Sequence, residues 1–336
     1  MKHSITIAGS IIVDKTVTVD RYPKKGMCSH IISEKRNLGG CVCNTACAIK
    51  RIDPSFSVYA SGVIGKDDDG KFAVAEMKKY GVDCTLLGVA DSVDTGHAVV
   101  VCDEESLSRT FMTCLGTNAL YSQKDVANCF MRKGDYFHLG YLFLLESLDK
   151  EDAEYGTIAA RCLSDLQKSG VKTSIDMISE DVPENAREVR CAVKYCDNVI
   201  INEIEGGIVA DVSPFENDNI SDKNVEKICR IIKSMGVKER VIIHSPSKAY
   251  CFDGNDFIKA DTYKLLSGQI KSSVGAGDAF CAGALYAISE NYNNKKILSF
   301  ANCVAACSLL APDPVSGIKR LEDIEKMMFC PSTITE

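Results

Sequence analysis

The chain carries no block of Lys or Arg, and its formal net charge is −7 over 336 residues. A surface built to neutralise nucleic-acid phosphates or anionic lipid is therefore not expected. No apolar run approaches the roughly 20 residues that a bilayer-spanning helix needs, so no membrane segment is expected either. Low-complexity stretches are absent, Pro contributes only 8 residues, and no self-similarity appears at a period of roughly 20 to 50 residues. Disordered, fibrous, solenoid and propeller classes drop out. None of the 17 cysteines forms a C-x-x-C pair, and the five histidines (His3, His30, His97, His138, His244) show no metal-ligand spacing. No charged-then-apolar segment opens the chain, so the cysteines read as reduced, mostly buried small hydrophobes of a cytoplasmic protein. Neither a G-x-x-x-x-G-K-[ST] loop nor a G-x-G-x-x-G with a later acid occurs. Walker-type and dinucleotide sites are excluded.

What remains is a globular composition, 46% apolar and 25% charged, long enough for one large core with a small appendage. In the first half, residues 4–13 read as one apolar strand, 57–64 as another, and 97–102 with 109–114 as a paired unit, with few strong helices between. From about residue 135 strand and helix patterns alternate: 135–139, 171–176, 198–202 and 241–244 are strands, and the apolar residues between them recur at helical spacing. Such alternation predicts an α/β fold, a mostly parallel sheet with helices on both faces and ligands at the carboxyl ends of its strands. Residues 15–36 and 95–114, charged and alternating, do not fit that core and are predicted to form a small β lid. Asp253-Gly254 predicts a tight two-residue hairpin.

The strongest chemical signal is Ser272-Ser273-Val274-Gly275-Ala276-Gly277-Asp278-Ala279-Phe280, a glycine-rich turn entering a helix. Small residues let the backbone approach a ligand, and the N–H groups of a first helical turn attract anions. A carboxylate there suits acid–base work on a phosphoryl acceptor, although the same Asp278 could serve only the helix dipole. Three further segments stand out: Gly9-Ser10-Ile11-Ile12-Val13-Asp14, Leu38-Gly39-Gly40-Cys41-Val42-Cys43-Asn44, and Asn202-Glu203-Ile204-Glu205 after a strand. Each also has a plain structural reading, as a strand end, a helix N-cap and a solvated helix start.

Taken in order, these four segments resemble the signatures of the PfkB, or ribokinase-like, carbohydrate kinase family over nearly the whole chain. The resemblance implies a ribokinase-like three-layer sandwich with a small β lid, one kinase domain over residues 1–336, and ATP and Mg²⁺ as cofactors. It implies Asp278 as catalytic base, with the N–H groups of Gly275, Ala276 and Gly277 as an anion hole. Asp14, Gly39, Gly40 and Asn44 fall where the family binds substrate, and Arg109, running from lid to core, would meet substrate or phosphate. Asn202 and Glu205 match the motif that organises Mg²⁺ near the phosphates. Ser245 and Asn302 fall on the nucleotide side, Asn302 where relatives place a residue beside adenine.

Three departures qualify the likeness. Ser272 replaces an Asp that helps form a monovalent-cation site, which puts potassium activation in doubt. Pro246 and Ala249 replace two glycines of the nucleotide loop. The stretch Phe137-His138-Leu139-Gly140-Tyr141 lacks the carboxylate that ribokinases use on their sugar. The expected activity is phosphorylation of a primary hydroxyl on a sugar, with two rivals. One is a nucleoside kinase in which residues 141–143 stack on a base. The other is a non-catalytic nucleotide or sugar sensor. Free lid edges allow a homodimer.

Overall fold

The computed structural model describes residues 3–104, 109–129, 134–178 and 186–329. Two sheets dominate. Their strands are β1 (Ser4–Gly9), β2 (Ile12–Val19), β3 (Ile31–Gly39), β4 (Ser57–Gly65), β5 (Asp83–Ala90), β6 (His97–Asp103), β7 (Arg109–Cys114), β8 (Tyr136–Leu142), β9 (Lys172–Met177), β10 (Asn198–Asn202), β11 (Arg240–His244), β12 (Lys248–Phe252) and β13 (Phe257–Asp261). The nine-stranded sheet runs β13-β12-β11-β10-β9-β8-β1-β4-β5 and is parallel from β11 to β5, with β12 and β13 antiparallel at one edge.

The main flanking helices are α1 (Cys41–Ile52), α2 (Asp68–Tyr80), α3 (Ile158–Lys168), α4 (Ala186–Val193), α5 (Glu203–Ala210), α6 (Asp222–Ser234), α7 (Ala276–Ser289) and α8 (Asn294–Leu309). Alternate residues of each strand point to opposite faces of the sheet. Accordingly Ile200 and Ile242 pack with α1, α7 and α8, whereas Val199, Ile201, Val241 and Ile243 pack with α3, α4 and α6. The result is the expected three-layer α/β sandwich. Helix α7 is buried without interruption from Asp278 to Ser289, which its apolar all-round sequence requires.

The small sheet, in order β3-β2-β6-β7, covers the segments read as a lid but begins earlier, at Ile12, and includes residues up to Gly39. Residues 4–13 are not one strand. The chain breaks after Gly9, which has φ +128°, and Ile11 is held by Asn118, whose Oδ1 accepts from Ile11 N at 2.8 Å while Nδ2 donates to Ile11 O at 3.0 Å. Asp14 therefore lies within β2 of the small sheet instead of at the end of β1.

Two other expectations are corrected. The first half does contain a full helix, α2. Asp67 caps it by accepting from Gly70 N at 2.7 Å, and Gly81 ends it in the left-handed region. It hides in the sequence because Gly70, Ala73 and Met77 alone form its buried stripe. The β12–β13 turn spans four residues instead of two. Phe252 pairs with Phe257, and Asp253 Oδ1 accepts from Asn255 N and Asp256 N at 2.8 and 2.9 Å, a side-chain turn that displaces the two-residue one.

Candidate active site

Four neighbouring parallel strands end on one cavity of about 230 Å³. Strand β8 brings Tyr141, β9 Asp176, β10 Asn202 and β11 His244, and the first turn of α7 closes the cavity with Gly275, Gly277 and Asp278. It lies at the carboxyl ends of the strands, beside the point between β1 and β8 where the strand order reverses. Open α/β sheets bind ligands at such points.

The turn into α7 depends on Gly275, whose φ is +76°. A Cβ there would lie 2.4 Å from Cβ of Pro314, so a side chain is excluded by both conformation and space. Ala276 N–H closes the turn on Ser273 O at 3.3 Å. Asp278 follows, 5% exposed. Its Oδ2 accepts from Asn44 Nδ2 at 2.8 Å, and the Tyr141 hydroxyl donates to the same carboxylate at 3.0 and 3.1 Å. Burial, and then the neighbouring Asp176 carboxylate, push the Asp278 carboxyl up to about 7, against the opposing pull of the Asn44 and Tyr141 hydrogen bonds and of His138.

Asn44 is not the helix cap that its residue type allows. The cap is Gly40, at φ +80°, where a Cβ would meet Ser10 O at 2.5 Å, and Asn44 sits in the opening turns of α1. This turns its side chain onto Asp278. The Asn44 Oδ1 is buried without a hydrogen-bond partner, as are Ser10 Oγ and Thr45 Oγ1. An orphaned buried acceptor costs about 1–3 kcal/mol, which a hydroxyl-bearing ligand could recover.

Asp14 lines a different and larger cavity of about 460 Å³, between the small sheet and the loops carrying Lys271, Ser272, Val274 and Pro314. Burial pushes its carboxyl up to about 6. Gly39 packs against it, since a Cβ at that position would lie 2.7 Å from its carboxylate oxygens. Val274 lines this cavity and the adjacent Gly275 lines the other.

Asn202 and Glu205 form a reciprocal cap of α5: Asn202 Oδ1 accepts from Glu205 N at 2.8 Å, and the Glu205 carboxylate accepts from Asn202 N and Nδ2 at 2.9 and 2.7 Å. Both also line the smaller cavity. One or two carboxylates suffice for a Mg²⁺ that keeps most of its waters, so this donor set fits a hydrated ion and not a protein cage. Ser245 closes the β11–β12 hairpin, bonding Lys248 O and Lys248 N at 2.8 and 3.0 Å. Asn302 of α8 donates to the β13 carbonyls of Ala260 and Asp261 at 3.4 and 3.1 Å. Neither lines the two cavities. Arg109 opens β7, and its side chain lies outside the described residues.

Four further residues lie at or beside the cavity that the sequence does not single out for the transfer chemistry. Tyr141 reads as an aromatic at a strand end, yet its φ of +56° is rare for a non-glycine residue, and Asp176 Oδ1 accepts its backbone N–H at 2.6 Å. Asp176 closes an ordinary β run. Its carboxylate lies in the cavity lining, 3.3 Å from His138 Nε2. His138 is a buried ring whose Nδ1 lies 3.0 Å from Ser174 Oγ and whose Nε2 lies 3.3 Å from Asp176 Oδ2. His244, partly buried, packs against Phe280 with ring centroids 4.7 Å apart, and desolvation lowers its pKa to about 4.

A family model described as "pfkB family carbohydrate kinase" matches residues 2–319. The ATP-dependent ribose-1-phosphate kinase of Halopiger xanaduensis is 22% identical, with 89% of each chain covered. The adenosine kinase of Schizosaccharomyces pombe is 24% identical over 82% of this chain and 84% of its own. The structure of Arabidopsis thaliana ribokinase complexed with ribose and ATP superposes with a TM-score of 0.78 at 20% identity, covering 98% of this chain and 99% of that one. The chain belongs to the pfkB family of carbohydrate kinases, phosphotransferases with an alcohol group as acceptor.

Proposed function

We propose that the chain transfers the γ-phosphoryl group of ATP to a primary hydroxyl of a sugar or sugar derivative, with Asp278 as general base. The observation that carries this reading is the Asp278 carboxyl itself: buried in a cavity, aimed by Asn44 and Tyr141, and pushed up to about 7. A base whose pKa lies near the working pH combines adequate ionisation with a useful driving force.

The acceptor hydroxyl donates to Asp278, which takes its proton as the oxygen attacks the γ-phosphorus. The new O–P bond forms while the bond to the β-phosphate oxygen breaks, and ADP leaves. Negative charge on the transferring group meets the N–H groups of Gly275 and Gly277, and that of Ala276 as it exchanges its long bond to Ser273 O, at the start of α7, where the helix dipole favours it. Glu205 and Asn202 would hold a hydrated Mg²⁺, which would supply positive charge against the phosphates. Asp14, Asn44, Arg109 and the backbone at Gly39 and Gly40 hold the acceptor. Ser245 and Asn302 serve the nucleotide side through the strands and turn that they fix.

The chain acts as one kinase domain, with the small sheet as a lid that excludes water from the transfer. Ser272 leaves the reaction without the usual carboxylate for a monovalent cation. Every described cysteine is free, which suits a reducing compartment, the cytoplasm. Exposed Ile31 and Ile32 on β3, with Phe111 and Met112 on β7, mark lid edges that pair two copies; sedimentation showing only monomer would end that part of the proposal.

The test is ADP release from ATP and Mg²⁺ over a panel of ketoses, aldoses, sugar acids, sugar phosphates and nucleosides, for the native chain and Asp278→Asn. Acceptor-dependent turnover that falls about 10²–10⁴-fold in the variant supports the base. Undiminished turnover in the variant removes it. Turnover confined to nucleosides selects the nucleoside reading, which the Tyr141 ring in the cavity favours, and ATP binding without turnover selects a sensor.

A further inference from the structure

Three buried side chains at or beside the cavity take no direct part in any step of the proposed transfer, although two of them bear on the Asp278 charge. His138 of β8, Asp176 of β9 and Cys281 of α7 are all buried, and one ligand atom from each lies within 4.8 Å of the other two. Cys281 stands three residues beyond Asp278, on the same face of α7. His138 Nε2 lies 3.3 Å from Asp176 Oδ2 and 3.5 Å from Cys281 Sγ. One proton on Nε2 can serve at most one of these neighbours well, and 3.3 Å is long beside the usual N–H···O distance of about 2.9–3.0 Å.

We infer that these three side chains form a site for a borderline-soft divalent cation of the Zn²⁺ type, distinct from the Mg²⁺ that accompanies ATP. For usual zinc bond lengths, tetrahedral ligation sets nitrogen and oxygen about 3.3 Å apart and nitrogen and sulfur about 3.6 Å apart. Both edges through Nε2 already have these lengths. The surroundings orient the ligands as metal sites require. His138 Nδ1 lies 3.0 Å from Ser174 Oγ, so in the tautomer protonated at Nδ1 this hydrogen bond leaves the Nε2 lone pair for the metal. Tyr141 N–H occupies Asp176 Oδ1, which leaves Oδ2 as a single ligand oxygen.

Histidine nitrogen with a thiolate selects zinc-like ions, whereas Mg²⁺ demands oxygen. Asp176 and Cys281 line the cavity, which supplies an entry path and a fourth position for water. On binding, the Cys281 thiol releases its proton to solvent as the metal–sulfur bond forms. Because Asp176 also holds the Tyr141 backbone, occupancy ties β8, β9 and α7 together beside Asp278.

The test is metal binding by the full chain, read without any kinase assay. Metal-free protein is loaded with Zn²⁺ or Co²⁺ and desalted. One ion per chain should be retained, with a thiolate-to-cobalt charge-transfer band in the Co²⁺ form. Cys281→Ala and His138→Gln should each weaken retention at least tenfold, while Cys28→Ser, at an exposed thiol, should not. Zinc-edge X-ray absorption of the native chain needs no variant to fold: one sulfur at about 2.3 Å with nitrogen and oxygen at about 2.0 Å is expected. A shell without sulfur, no retained ion, or full retention in a folded Cys281→Ala overturns the site.

Discussion

Replacing Asp278 by Asn should lower turnover about 10²–10⁴-fold and at the same time stabilise the ligand-free protein at alkaline pH. The folded-state pKa of Asp278 is raised from 3.8 to about 7, chiefly by burial. A group with a raised folded pKa contributes stability that is fully present below the unfolded value and lost as pH rises through the folded one. Roughly three units at 1.36 kcal/mol each put the cost of the buried carboxylate near pH 8 at up to about 4 kcal/mol, and relaxation of the cavity lowers this to about 2–4 kcal/mol. Asn has the same shape and no charge, and its carbonyl can still accept from Asn44 Nδ2. At pH 8 the variant should therefore melt about 3–6 °C higher than the native chain, given the unfolding entropy of a chain this long. At pH 5 the native Asp278 is protonated but its unfolded counterpart is already ionised, so the difference should shrink to roughly 40% of its size at pH 8 and vanish only below about pH 4. The assay is a pair of thermal or urea unfolding curves at each pH, without nucleotide or acceptor. A variant no more stable at pH 8, or a gain of equal size at both pH values, would refute the claim that burial raises this carboxyl.

Tyr141→Phe removes a hydrogen bond that favours the ionised Asp278, so the rise of kcat/KM with pH, centred near 7 in the native chain, should move up by about one unit. A profile that stays in place would show that Tyr141 does not act on the base. Gly40→Ala forces a side chain into a residue at φ +80°, toward Ser10 O, and should cost about 2 kcal/mol or more of stability by urea unfolding. Glu205→Gln keeps an acceptor for the α5 cap while removing the charge. The Mg²⁺ concentration for half-maximal rate should rise about tenfold or more with stability changed by less than about 1 kcal/mol; an unchanged Mg²⁺ requirement would leave Glu205 with the cap alone.

Much of this protein is written in short stretches of sequence. The alternation of strands and helices after residue 135 requires crossovers, and so by itself determines a parallel sheet with two helical layers. Gly275, Gly277 and Asp278 are read from one turn because the left-handed residue, the helix start and the carboxylate are local neighbours. The Asn202–Glu205 cap is equally local, at the i, i+3 spacing of a first helical turn.

What stayed hidden depends on which distant segments the fold brings side by side. Asn44 and Tyr141 reach Asp278 from 234 and 137 residues away. Asn118 breaks the first strand pattern from 107 residues away and moves Asp14 into another sheet and another cavity. Asp176 and His138 meet because β8 and β9 are neighbours, with Ser174 opposite His138 and a register shift at Asp176, and Cys281 joins them only because α7 packs across those strand ends. Local patterning reports backbone preference over a few residues. Side chains that meet across a sheet are chosen by strand order and register, which only the folded chain decides.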